Sequence, residues 1–146
     1  MQQLFQKYGQ QVQFFVVYIA EAHALDSRAP IVWRNAPLVE EPIHDQERMA
    51  LAGKCLTALK IQDIPALVDR VDDRVNEAYA AWPDRLYLVA KDGRLAYAGG
   101  RGPFGFKPDE LEHAMRKELG LPPLPEPKTG ETKPESDGKA KSGRIF

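Results

Sequence analysis

Two residues in the first quarter of the chain have the types and spacing for acid–base chemistry. Glu21 and His23 follow directly on the apolar run Val12-Gln13-Phe14-Phe15-Val16-Val17-Tyr18-Ile19. Such a run, rich in β-branched and aromatic residues, predicts a buried strand. In open α/β sheets, ligands bind outside the carboxyl ends of strands. A carboxylate and an imidazole there can pass a proton to or from a ligand. A solvent-facing Glu and a hydrogen-bonded His at a strand end fit the same residues. Glu21 and His23 share strand parity. Tyr18 has the opposite parity, which makes it a core residue unless the strand ends near Ile19.

The elements that would position these groups follow from periodicity. Residues 2–9 predict the end of a helix, with Leu4, Phe5 and Tyr8 on one face and Gly9 as its stop. Residues 12–19 predict the first strand. Residues 24–43 contain Pro30, Pro37 and Pro42 and predict a long loop. A helix over 46–60, capped by Asp45, would bury Met49, Leu51, Ala52, Cys55, Leu56 and Leu59. A short strand follows at 65–69. Asp72 or Asp73 would cap a short helix running to Ala81. Pro83 precedes a strand at 85–90, and a cis Trp82–Pro83 bond is proposed. Asp92-Gly93 is a hairpin signal, and 94–98 is the return strand. Gly99-Gly100-Arg101-Gly102-Pro103 predicts a flexible loop. Pro108 opens an amphipathic helix over 109–119.

Composition narrows the function classes. The chain has 146 residues, 20 basic and 21 acidic groups, and a net charge of −1. It has no basic stripe of the kind nucleic acid requires. Its apolar runs are shorter than the ~20 residues of a membrane span. The single cysteine, Cys55, cannot form an internal disulfide. On the apolar face of a helix it reads as an inert small hydrophobe. No signal peptide is seen, so a cytoplasmic location is expected. Five of the 12 prolines fall between Pro122 and Pro134, and few apolar residues remain beyond Leu121. Residues 121–146 are therefore expected to be a disordered tail, leaving one domain over 1–120.

Four motifs, in order, carry a family resemblance. They are Tyr18-Ile19-Ala20-Glu21-Ala22-His23; His44 with Glu47-Arg48; Ala78-Tyr79-Ala80-Ala81-Trp82-Pro83-Asp84-Arg85-Leu86-Tyr87; and Tyr97-Ala98-Gly99-Gly100-Arg101-Gly102-Pro103. Over residues 4 to 119 the chain resembles the iodothyronine deiodinases and their bacterial relatives. The resemblance implies an α/β fold, a thioredoxin-like three-layer sandwich. It also implies an N-terminally truncated domain that lacks the strand preceding the nucleophile. Strands 12–19 and 85–90 would then not pair with each other, and the chain alone would be unstable or a homo-oligomer.

That family removes iodide reductively from thyroid hormones, using a cysteine or selenocysteine in a segment that this sequence does not contain. The resemblance implies catalytic roles for Glu21, His23, His44 and Asp84, and substrate-binding roles for Arg101, Tyr18 and Pro83. Asp84 replaces a usual Glu, and Ala20 a Glu common in vertebrate members. An arginine in a Gly-rich loop suits a carboxylate or phenolate. The same residues fit a blander reading, with His44 only as the residue before a helix and Asp84–Arg85 as a strand-end ion pair. The implied partners are a small aromatic or halogenated substrate and an external thiol reductant, with no bound cofactor and no metal. The alternatives are a non-catalytic binding or scaffold protein with a retained pocket, a peroxide or disulfide reductase, and a redox protein using Cys55.

Overall fold

The computed structural model describes residues 1–27, 30 and 38–125. The middle of the predicted 24–43 loop and residues 126–146 of the predicted tail lie outside the described residues. The elements are α1 (Gln2–Tyr8), β1 (Val16–Tyr18), α2 (Asp45–Ala58), β2 (Ala66–Val68), α3 (Arg74–Tyr79), β3 (Tyr87–Val89), β4 (Leu95–Ala98) and α4 (Pro108–Glu118). The chain is thus mixed α/β, and the order of elements is the one the sequence predicts.

Two small sheets carry the strands. β1 pairs in parallel with β2, with Val16 opposite Ala66 and Tyr18 opposite Val68. A parallel pair needs a crossover, and α2 supplies it. β3 and β4 form an antiparallel hairpin, with Tyr87 opposite Ala98 and an irregularity between Leu88 and Val89. Gly93 takes φ +83° in the turn, a conformation that favours glycine. No ladder joins β1 to β3 among the described residues.

The core lies where α1 and α4 cover the hairpin. Leu4, Tyr8, Phe14, Ile64, Leu86, Leu88, Leu111 and Met115 form one buried cluster. The rim is tied by polar contacts. The Tyr8 hydroxyl donates to Glu112 at 2.7 Å and accepts from Arg116 at 3.0 Å. Met115 is the largest fully buried side chain, and its loss for alanine would cost about 2–5 kcal/mol.

Several local expectations need correction. The first strand covers only Val16–Tyr18, not 12–19. Phe15 and Val17 are 56% and 41% exposed, so the run is buried on one face alone, its sheet having two strands among the described residues. Strands 65–69, 85–90 and 94–98 shorten to Ala66–Val68, Tyr87–Val89 and Leu95–Ala98 for the same lack of flanking partners. Met49 and Leu59 are exposed rather than packed. Asp45 does not cap α2; its carboxylate accepts the Val71 amide across the fold. The short helix ends at Tyr79 rather than Ala81, where Ala80 turns left-handed. Gly9 closes α1 in the right-handed region and so does not use glycine's special freedom. Residues 121 and 122 are docked rather than loose: Leu121 packs on the core, and the Pro122 carbonyl accepts from Arg116.

Candidate active site

β1 ends at Tyr18, and this ending decides the site. Beyond it the parity rule no longer applies, and the chain turns so that the Tyr18 hydroxyl donates to the Glu21 carboxylate. The two residues that an ideal strand would point to opposite faces are therefore joined. The Cys55 sulfur, reaching in from α2, lies 3.8 Å from the Tyr18 hydroxyl and 4.0 Å from Glu21 Oε1. Cys55 is thus half-buried beside the polar cluster, not sealed in an apolar face.

The surroundings raise the proton affinity of two groups in this cluster. Burial, and then the negative charge of Glu41, push the Glu21 carboxyl above its ordinary value, while Arg48 and His23 pull it down. Burial and Glu21 likewise push the Cys55 thiol up. A thiol held in this way is a poor nucleophile, since the thiolate is the reactive form.

Two residues outside the predicted set build the floor of this site. Glu41 accepts the Glu21 backbone amide at 2.7 Å. Its other oxygen accepts from Arg48 at 2.5 Å. The Arg48 side chain is only 3% exposed. It also donates to the Arg70 carbonyl at 2.7 Å and to Asp73 at 3.3 Å. Glu21, Glu41, Arg48, Asp26 and Asp73 line an open cleft of about 370 Å³. The signal for Arg48 was in the helix pattern. It shares the i, i+3, i+4, i+7 face with Leu51, Ala52 and Cys55, and a charge on a buried face needs a partner. Glu41 carries no such signal, because its partners are distant in sequence.

The other predicted residues are placed separately. His23 is exposed and acts on Glu21 through its charge. His44 is exposed at the N-cap of α2 and makes no side-chain cap; its carbonyl accepts the Arg48 amide. Pro83 follows a cis Trp82–Pro83 bond. Arg85 does not pair with Asp84; it donates to the carbonyls of Gly99 and Ala80. The Asp84 backbone carbonyl accepts the Gly102 amide at 2.9 Å. A Cβ on Gly102 would overlap the Asp84 carboxylate, so that loop rests directly on Asp84. Arg101 stands next to it, exposed. The structure therefore brings Tyr18 and Glu21 together on one sheet, and Asp84 and the Arg101 loop together on the other.

The chain is a mixed α/β domain with a half-buried carboxyl–phenol pair at a strand end. Residues 1–119 match the family model described as iodothyronine deiodinase. The chain belongs to the iodothyronine deiodinase family. It is 36% identical over 116 residues to a thyroxine 5-deiodinase of Sparus aurata, covering 80% of this chain and 42% of that protein. It is 32% identical over 104 residues to a type I iodothyronine deiodinase of Xenopus laevis, covering 71% of this chain and 39% of that protein. A type II iodothyronine deiodinase of Petromyzon marinus is 33% identical over 106 residues, covering 68% and 33%. The chain thus spans about two fifths or less of the length of these relatives. No helix among the described residues is long and apolar enough to cross a membrane.

Proposed function

We propose that this chain supplies the acid–base and substrate-holding part of a thioredoxin-like domain for reductive dehalogenation of iodothyronine-type compounds. The nucleophile, a cysteine or selenocysteine, would come from residues outside 1–146. The observation that carries this reading is the Tyr18–Glu21 pair, a half-buried carboxyl with a raised proton affinity at the end of β1. When a soft nucleophile takes iodine from an aromatic carbon, the C–I bond breaks and the carbon must gain a proton. Glu21, assisted by Tyr18 and His23, is suited to deliver it. Arg101, free of side-chain partners among the described residues, would hold an anionic group of the substrate beside Pro83 and Asp84, and His44 and Asp84 are proposed as further acid–base groups. An external thiol returns the nucleophile to its reduced state.

The separation of the two sheets supports the second element of the proposal, a site for one further strand between β1 and β3. Exposed Phe15, Val17, Leu67, Val89 and Leu95 on the two sheets are consistent with faces that a fuller domain would cover. Cys55 is unsuited to be the nucleophile, since its thiol is held protonated.

The test is dithiothreitol-driven iodide release from thyroxine, with peroxide and a disulfide as competing substrates. The chain is compared with a version extended by the coding sequence upstream of Met1. Release by the extended protein, lost in His23→Ala and in Arg101→Ala, supports the reading. Release by residues 1–146 alone that disappears in Cys55→Ser would overturn it and make Cys55 the reactive group. Turnover of peroxide or disulfide but not thyroxine would keep the site and change the substrate.

A further inference from the structure

The cluster at the end of β1 contains an arrangement that the reaction above does not use. Glu41 divides its two carboxylate oxygens. One accepts from the Arg48 guanidinium at 2.5 Å, and the other accepts the Glu21 amide at 2.7 Å. The Glu41 amide is itself anchored on Asp26 at 2.9 Å. Arg48 is fixed at its far side by the Arg70 carbonyl and Asp73. A buried guanidinium on α2 thereby aims a carboxylate at the backbone of Glu21.

We propose that Arg48 and Glu41 form a two-residue relay that positions the Glu21 carboxyl and sets the charge it faces, making both positioning residues for the dehalogenation reaction. The inference rests on the proposed function only in treating Glu21 as the proton donor.

The chemistry follows from where the charges lie. Glu21 meets Tyr18 from β1, His23 from its own loop, Cys55 and Arg48 from α2, and Glu41 from the segment before α2; Asp26 and Asp73 line the same cleft. A hydrogen bond from a neutral acceptor would also hold the Glu21 amide. A carboxylate in that place adds a like charge, which favours the protonated form of Glu21. Arg48 opposes that effect directly. The two members of the pair therefore act on Glu21 with opposite sign, although they form one ion pair.

The experiment is a carboxyl-carbon NMR titration of the full chain, with the Glu21 resonance assigned by its loss in Glu21→Gln. In Glu41→Gln the Glu21 midpoint is expected to fall. In Arg48→Gln it is expected to rise, and Arg48→Lys should restore it toward the wild-type position. In Glu41→Ala, exchange of the Glu21 amide should accelerate about tenfold or more, the loss of a hydrogen bond to a charged acceptor. An unmoved midpoint in Glu41→Gln, or shifts of the same sign in the Glu41 and Arg48 variants, would overturn the proposal. So would unchanged Glu21 exchange in Glu41→Ala. If Arg48→Gln fails to fold, the two Glu41 variants decide the matter alone. These readouts need no turnover. Shifts as expected in this chain, with no iodide release by the extended protein, would sink the deiodinase reading and leave the relay standing.

Discussion

The two halves of the candidate site are held in opposite ways. At the end of β1, side chains hold side chains: Tyr18 on Glu21, Glu41 on the Glu21 amide, Arg48 on Glu41 and Asp73. In the loop over 99–105, backbone holds backbone. The Gly102 amide donates to the Asp84 carbonyl and the Gly105 amide to the Arg101 carbonyl, while Arg85 supports Gly99. The first half is half-buried and raises the proton affinity of its groups. The second leaves Arg101 exposed on a shaped turn. Under the proposed function, burial and nearby charge suit the proton-donor role of Glu21, and exposure suits Arg101 for meeting an anion.

The largest effect that would break this contrast is expected at Arg48. Replacing it by methionine leaves Glu41 and Asp73 without their shared cation, at a cost of about 3 kcal/mol. Urea unfolding would measure this, and a change below ~1 kcal/mol would show that the cluster is not held by its ion pairs.

The loop should fail differently. A Cβ on Gly105 would overlap the backbone of Gly100 and Arg101, so Gly105→Ala should cost about 2 kcal/mol by forcing the turn open. The Glu21 titration should be unaffected by it. Thermal unfolding with the same carboxyl titration tests both halves at once, and a moved Glu21 midpoint would mean that the two halves are coupled.

The pH dependence sharpens the comparison between enclosed and surface carboxylates. Glu21 is pushed above the ordinary 4.5 by burial and then by Glu41. Its contribution to stability is fully present below the unfolded value and lost as pH rises through the folded one. Glu21→Gln should therefore match the wild type best in acid and gain on it above about pH 4.5. On the surface, Glu112 is pulled down, first by its hydrogen bond to Lys7 and then by Tyr8. Its contribution is present above the unfolded value and lost as pH falls through the folded one, so Glu112→Gln should lose ground as pH rises toward about 4.5 and stay behind the wild type above it. Unfolding free energies of both variants from pH 3 to 8 would give difference curves of opposite slope; parallel curves would remove the distinction.

The smallest effect is expected at Arg101. Arg101→Ala should change stability by less than about 0.5 kcal/mol, as an exposed side chain away from packing. If the proposed function holds, the same change sharply reduces iodide release by the extended protein. Equal losses of stability and activity would make Arg101 structural.

The sequence by itself determined the order of elements, because helix and strand periodicities and the Asp92-Gly93 turn are local signals. It also determined the family, since the motifs around Glu21, Trp82-Pro83 and Gly99–Pro103 are contiguous in the chain. Tertiary structure decided the rest. Strand lengths depended on how many neighbours each strand has, which is why 12–19 contracted to Val16–Tyr18. Tyr18 joined Glu21 because the strand stops between them, an ending set by pairing with β2. The parity rule could not reveal it, because it presumes an unbroken strand. His44 proved to act through its backbone at the start of α2. Glu41 and Arg48 entered the site through contacts that span the 24–43 loop and the β2–α3 turn. Burial, and with it the raised proton affinity of Glu21, is a property of the packed neighbourhood, and no residue's identity carries it alone.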